Sequence, residues 1–582
     1  MSIRYSAQRD RCPQDELANA GFPQNATPLG MTQLPLPLGI KIEDNSAVRA
    51  PYHEYSVSWG HIPTRPPAMM ICRLLAVLLL VAGSPAAAAE YHLLKKAIDS
   101  ITAEELRHHV YTLADDSFEG REAGKRGGRA ASVYLEKALR ELGCQGGAHG
   151  QFYQPFGAGL RNVLGLVPGT HPELQDEVVI LGAHYDHIGY GDKDSSNGPV
   201  GYIHNGADDN ASGNAALLEI AEALYEMPDR PDRSILFAFW DGEEKGLLGS
   251  THWAQHPTLP MEQVAISINL DMIGRLGGDG VEVSGTRSAQ SLRQWVSRRN
   301  AVTDLKLYFP WKTDDSSDHW PFYELGVPVI MFHTGLHDDY HRPSDDAHLV
   351  NIDGMQQVTG LIFRCVHDLA SETARHAFRQ QSRQEQVTHR QALERTLNRP
   401  PPRLGTSWSA TDQTEPGVRL TQVDFGTPAQ RAGLRVGDRV LKINGQATVG
   451  GDGFRRQIQI ASPDVTMTIQ RAGSTDPLDV PVRLAGPPLR LGISWRTDAG
   501  EPDSVTLVRV VEGSPAGRAG LKPRDRIYEV NGQRFSDSDE FAAMASAATL
   551  PATLLVERWG RLREVSLVDE LAKADAATQR RE

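Results

Sequence analysis

With 582 residues the chain exceeds what a single hydrophobic core organises, so several domains are expected. A 40% hydrophobic and 23% charged composition is that of globular protein, and a net charge of −13 with no basic stripe of interleaved aromatics excludes a nucleic-acid binder. Four cysteines without a C-x-x-C spacing exclude a disulfide framework, so any zinc is expected on His, Asp and Glu.

Residues 70–90 place one Arg before an apolar run, Leu74 to Ala82, and end in four alanines. This is the pattern of a cleavable secretory signal peptide, assigned to 69–89 with cleavage between Ala89 and Glu90. The run is too short for a stable membrane span, so an exported protein, periplasmic or secreted, is expected. Residues 1–68 precede it with no helical or strand period, and read as a mis-assigned start or a disordered extension.

Beyond them, 102–114 and 127–142 have the spacing of amphipathic helices, the second carrying Ala131, Leu135, Ala138 and Leu142 on one stripe. Residues 162–167 and 178–183 read as strands, and 188–205 as a long Gly- and Ser-rich loop. Helices are expected over 211–227, 246–256, 289–300 and 353–370, and strands over 234–240, 264–270 and 328–333. The alternation implies a three-layer α/β/α domain over 90–375, with a mainly parallel mixed sheet and its ligand beyond the carboxyl ends of the strands.

A polar segment, 376–401, reads as a helical linker. An internal repeat follows: RLGTSW at Arg403 returns as RLGISW at Arg490, GTPAQRAGL at Gly426 as GSPAGRAGL at Gly513, and VLKINGQ at Val440 as IYEVNGQ at Ile527, always 87 residues on. Thr427 and Ser514 read as helix N-caps, Pro428 and Pro515 as first helical residues, and Gly433 and Gly520 as stops. Each copy resembles the PDZ domain of bacterial exported proteases, which implies small β-rich domains over 402–486 and 487–570. In that family the position of the RLG segment is a carboxylate-binding loop, so C-terminal peptides are the implied ligands of the pair.

The chemistry concentrates at strand ends. His184 follows an apolar strand, with Asp186 placed to orient it. Asp208 and Asp209 follow Gly206-Ala207 ahead of a helix, where capping accounts for one carboxylate only. Glu243 and Glu244 end another strand; adjacent acids repel unless a cation neutralises them, and one can hold metal while the other faces a reacting water. Asp271 ends a buried strand and needs a partner. His341 has Asp345 four residues on as its orienting acid.

Taken in order, these clusters resemble the secreted zinc aminopeptidases of metallopeptidase family twenty-eight, relatives of glutamate carboxypeptidase and the transferrin receptor. The resemblance runs over about 100–370 and includes DSFEGREAG, SDHWPF at Ser317 and FHTGLHDDYHRPSDD. It implies two zinc ions, one on His184 and Asp271, the other on Glu244 and His341, with Asp208 bridging and Glu243 as general base. The implied activity is hydrolysis of N-terminal peptide bonds of peptide or protein substrates. Beside it, the tandem repeats are expected to bind or position polypeptides, tethering the substrate by its C-terminus, the alternative being a role in assembly or stability alone. The oxyanion-stabilising Tyr that some members of the family place ahead of the SDH segment is absent here, where Thr313 to Ser316 stand. Two other readings are a one-zinc glutaminyl-cyclase-like acyltransferase and a non-catalytic binding protein on a peptidase fold.

Overall fold

The structure is a computed structural model, and it describes residues 85–397, 402–409, 416–486, 488, 490–512 and 514–568. All of these lie within one compact unit, Ala82–Glu582. The extension and most of the signal segment lie outside the described residues. Helix α1, Pro85–Ser100, begins before the expected cleavage point and runs across it. No described helix is long and apolar enough to cross a membrane.

The first domain is built on a nine-stranded sheet: β1 Gln145–Gly146, β2 Tyr153–Phe156, β3 Leu160–Val167, β4 Val178–His184, β5 Ser234–Trp240, β6 Val264–Leu270, β7 Val281–Ser284, β8 Leu307–Tyr308 and β9 Val329–His333. Its order is β1-β3-β5-β4-β6-β9-β7-β8, with β2 also on β3. The central run β5-β4-β6-β9 is parallel. Antiparallel pairings of β3 with β5 and of β7 with β9 make the sheet mixed. β4, β5 and β6 are buried along their whole length, which is why their sequences are continuous apolar runs.

Alternate residues of these strands enter two separate cores, and this makes three layers. Val179, Leu181, Phe237 and Ile268 face α2 (Ala103–Leu113), α3 (Arg126–Glu141), α4 (Gly213–Tyr225) and α8 (Ile352–Ser371). Ile180, Leu236, Ala238 and Trp240 face Trp253 of α5 (Leu248–Gln255) and Phe322 of α7 (Trp320–Leu325). Helix α6, Leu292–Arg299, packs against α8, and β7 and β8 add short strands at one end of the sheet with no apolar run long enough to mark them. Each fully buried Leu, Ile or Phe contributes about 1.5–3 kcal/mol of transfer free energy. Cys144 and Cys365 are both buried and free.

Among its described residues, the segment expected as a helical linker is α-helical in α9, Val387–Glu394, after a short 3-10 turn. The two repeats fold alike. The first has strands β10 Thr406–Trp408, β11 Val418–Val423, β12 Arg439–Ile443, β13 Gln446–Ala447, β14 Asp464–Gln470 and β15 Leu478–Arg483, in the order β10-β11-β12-β14-β15 with β13 also on β12, and its helix α11, Gly450–Ile460, follows a short α10, Pro428–Arg431. The second repeats this with β16 Ile493–Asp498, β17 Glu501–Val510, β18 Arg526–Val530, β19 Gln533–Arg534, β20 Ala552–Arg558 and β21 Arg561–Leu567, in the order β16-β17-β18-β20-β21 with β19 also on β18, a short α12, Pro515–Arg518, and α13, Ser538–Ala547. Thr427 and Ser514 do cap their helices, each accepting a backbone N–H three residues on. In each copy a Trp of the edge strand meets a Phe of the long helix edge-on, Trp408 with Phe454 and Trp495 with Phe541.

Candidate metal centre

The carboxyl ends of β4, β5 and β6 converge, and three turns carry the functional side chains there. After β4 the chain passes His184 and Asp186. After β5, Gly242 adopts φ +77°, a left-handed turn that folds the chain back and presents Glu243 and Glu244. Ahead of α4, Asn210 fastens the turn 207–212 to the end of β6. Its Nδ2 donates to the Leu270 carbonyl at 2.9 Å and its Oδ1 accepts from Gly213 N at 3.0 Å and Met272 N at 3.3 Å.

Two groups of ligand atoms result: His184, Asp209 and Asp271, and His187, Asp209, Glu244 and His341, with the atoms of each group within 4.8 Å of one another. Nε2 of His184 lies 3.3 Å from Oδ1 of Asp209 and 3.3 Å from Oδ1 of Asp271. Nε2 of His341 lies 3.2 Å from the other oxygen of Asp209 and 3.1 Å from Glu244. The residue common to both groups is therefore Asp209, not Asp208. The Asp208 carboxylate turns away: it accepts from Gly274 N at 2.6 Å and Ser212 Oγ at 3.0 Å, and faces His337 at 3.3 Å.

The orienting contacts also differ from expectation. His184 Nδ1 donates to the backbone carbonyl of Asp186 at 3.1 Å, while the Asp186 carboxylate accepts from Glu243 N at 3.0 Å. The Asp186 carboxylate thus positions the Glu243 backbone, and the residue orients the His184 ring through its carbonyl instead. His341 Nδ1 donates to the carbonyl of Ser195, in the long loop 188–205, at 2.9 Å. Asp345 instead accepts from the backbone N–H groups of Asp208 and Asp209 at 2.9 and 3.1 Å and from Arg275 at 2.9 Å.

The donor set fits a cation. With both Nδ1 atoms committed as donors, the Nε2 lone pairs of His184 and His341 face carboxylate oxygens, and lone pairs facing lone pairs need a proton or a metal between them. Burial would lower the pKa of His341, yet Glu244 and Asp209 push it up to about 11. Burial alone would raise Glu244, yet His341 and His187 draw it down to about 2. Glu243 belongs to neither group. Burial raises its carboxyl well above the usual range, with Asp318, Glu244 and Asp271 adding to the rise and His184 opposing it.

Six contributors went unassigned in the sequence. His187 Nδ1 meets Glu244 Oε1 at 2.7 Å. Arg121, from DSFEGREAG, is fully buried and donates to the carbonyls of Tyr185, Leu113, Asn205 and Gly206 at 2.6–2.9 Å, a fixed cation behind the anionic site. Tyr340 stacks on His341 with ring centroids 4.0 Å apart. Its hydroxyl is kept protonated by burial and by Asp209, Glu244, Glu243 and Asp271. Ser317, Asp318 and His319 are buried on the β6 side, where Ser317 Oγ accepts from Asn269 at 2.8 Å and Asp318 from Ser250 at 2.5 Å. Only the adjacency of His187 and Tyr340 to assigned residues pointed to them.

This architecture coincides with the sequence families the chain matches. Residues 162–366 match Peptidase family M28, and residues 419–471 and 506–558 each match the PDZ domain. The chain thus carries a peptidase family M28 domain followed by two PDZ domains. Aminopeptidase YwaD of Bacillus subtilis (strain 168) is 29% identical over 217 residues, 36% of this chain and 44% of that protein. Leupeptin-inactivating enzyme 1 of Streptomyces exfoliatus is 27% identical over 238 residues, 40% of this chain and 49% of that protein. The chain spans less than half the length of these relatives. The LapA aminopeptidase structure from Legionella pneumophila superposes with a TM-score of 0.41 at 19% identity, over 48% of this chain and 74% of that one.

Proposed function

We propose that the chain is an exported two-zinc aminopeptidase. The observation that carries the reading is Asp209, one carboxylate shared by two His–carboxylate groups, with Glu243 next to Glu244 in the chain and part of neither. His184 and Asp271 would hold one zinc ion and Glu244 and His341 the other, with Asp209 facing both. Bound there, the ions supply Lewis acidity that acidifies a water and polarises a substrate carbonyl.

The chain's own residues do the rest. Glu243, held by its backbone bond to Asp186, takes the proton from the attacking water and returns it to the leaving amine. Tyr340, stacked on His341 with its hydroxyl kept protonated, would donate that hydrogen to the carbonyl oxygen as charge develops there. The surrounding carboxylates favour the ammonium of a free N-terminus, so the substrates are peptides or proteins trimmed from that end. The PDZ pair serves the same substrates by recruiting C-terminal peptides. Export is supported by the signal pattern at 69–89, and a mature N-terminus near Glu90 on sequencing exported protein is the expected result.

Glu243→Gln is expected to keep metal and fold while kcat for an aminoacyl-nitroanilide falls by about 2–4 orders of magnitude, the scale of a general base. Glu244→Gln is expected to lose metal. Equal metal loss from both variants would overturn the division of roles.

A further inference from the structure

We infer that the second PDZ domain is built into the catalytic unit as a positioning element: its Asp498 fixes Arg287, and Arg287 with Trp311 fixes the segment that presents Ser317, Asp318 and His319 to the site. The inference rests on the peptidase reading above.

The contact between the two domains is dense and charged. Arg287 makes a bidentate pair with Asp498 at 2.7 and 2.8 Å, shares its guanidinium with Glu385 of the linker, and lies 3.5 Å over the Trp311 ring. Arg293 grips Glu557 with two bonds of 3.1 Å, Arg298 meets Glu529 at 2.9 Å, and Ser291 donates to Asp503 at 2.6 Å. The backbone joins in at the sheet edge. Leu307 N in β8 donates to the Trp559 carbonyl at 2.8 Å, so the β20–β21 turn covers the strand edge that β7 leaves open. Gly560 is required there, because a Cβ would sit 2.5 Å from Leu307 Cβ.

The repeat itself marks this surface as particular to the second copy. What the copies share holds the fold, as in the matched pairs Asp438–Arg471 and Asp525–Arg558. The four docking acids are not shared. Eighty-seven residues earlier, Asp498, Asp503, Glu529 and Glu557 are replaced by Thr411, Pro416, Lys442 and Gln470. A module kept only for binding peptides has no use for acids on its outer face, whereas one that must dock on Arg287, Arg293 and Arg298 does.

The dock reaches the chemistry through one segment. Arg287, Asp498 and Trp311 are all at most 9% exposed, so neither ring nor guanidinium can swing into solvent. Six residues after Trp311 come Ser317, bonded to Asn269 two residues before the ligand Asp271, and Asp318, buried and accepting from Ser250. Loss of the Asp498 carboxylate leaves Arg287 with Glu385 alone and frees Trp311 to shift. A displacement of about 1 Å at a catalytic group can lower a rate by roughly a hundredfold.

The test uses the full chain and an aminoacyl-nitroanilide. The unaltered protein is measured first; if it is inactive, the peptidase reading has failed, not this inference. With wild-type activity in hand, Asp498→Ala is expected to lower kcat per folded, metal-loaded molecule about tenfold with little change in KM or zinc content, and Asp498→Glu to restore part of it. Glu529→Gln breaks a docking pair without touching Arg287 and is expected to keep wild-type kcat. If Asp498→Ala does not fold, Arg287→Lys, which keeps the charge but not the fork, is expected to show the same fall. Unchanged kcat in the Asp498 and Arg287 variants, or an equal fall in Glu529→Gln, would overturn the inference.

Discussion

Replacing Asp209 by Asn is the perturbation that separates this site from the one the sequence suggested. One Asp209 oxygen lies 3.3 Å from Nε2 of His184 and the other 3.2 Å from Nε2 of His341, so both groups lose a charged ligand at once. Removing a mere outer partner of a ligand lowers metal affinity about 10–100-fold; at two sites the loss is expected to reach ~10²–10⁴. Asp208→Asn keeps the oxygen that accepts from Gly274 and Ser212 and gives up only the side facing His337, at a cost of about 0.5–1.5 kcal/mol. Elemental analysis after dialysis, alongside aminoacyl-nitroanilide hydrolysis, reads both. Metal and activity should vanish in Asp209→Asn and persist in Asp208→Asn. The reverse pattern would refute the placement of the shared carboxylate and the fit argument built on it.

Away from the site, Glu219 is 1% exposed, and burial, with Glu105 and Glu222, pushes its carboxyl up to about 8. Between pH about 4.5 and 8 the unfolded chain has released this proton and the folded chain keeps it, so stability falls as pH rises through that window. Glu219→Gln should remove the fall, recovering about 1–3 kcal/mol at pH 8 relative to pH 5 in denaturant titrations; parallel pH profiles for both proteins would contradict this. Excising 402–486, the first PDZ domain, should leave kcat/KM for small nitroanilides within about twofold and raise KM for long peptides with free C-termini, because only these reach both sites. Equal effects on short and long substrates would remove the tethering role.

The parts of this fold that were readable are those where one physical demand dominates. β4, β5 and β6 are buried on both faces, so their apolar runs announced them and fixed where the ligands must stand. The clusters at His184, Glu244, Asp271 and His341 followed from that placement. Asp208 and Asp209 are chemically alike and adjacent, and only the turn decides between them: Asp209 and Asn210 leave helical geometry, and Asn210 ties the turn to Leu270 and Met272. The orienting partners were misread for a related reason. Spacing pointed to the carboxylates of Asp186 and Asp345, whereas backbone carbonyls, which carry no sequence signature, take the two ring N–H groups. The docking of Arg287, Arg293 and Arg298 on Asp498, Glu557 and Glu529 spans more than two hundred residues, and each charge alone reads as a solvated helix or strand face.

The most direct test of the two-metal claim is a zinc count and an activity measurement on one preparation of the mature protein. The account predicts two zinc ions per chain, loss of aminoacyl-nitroanilide hydrolysis when a chelator removes them, and recovery when zinc is restored. Full activity in protein holding one zinc ion or none would contradict it.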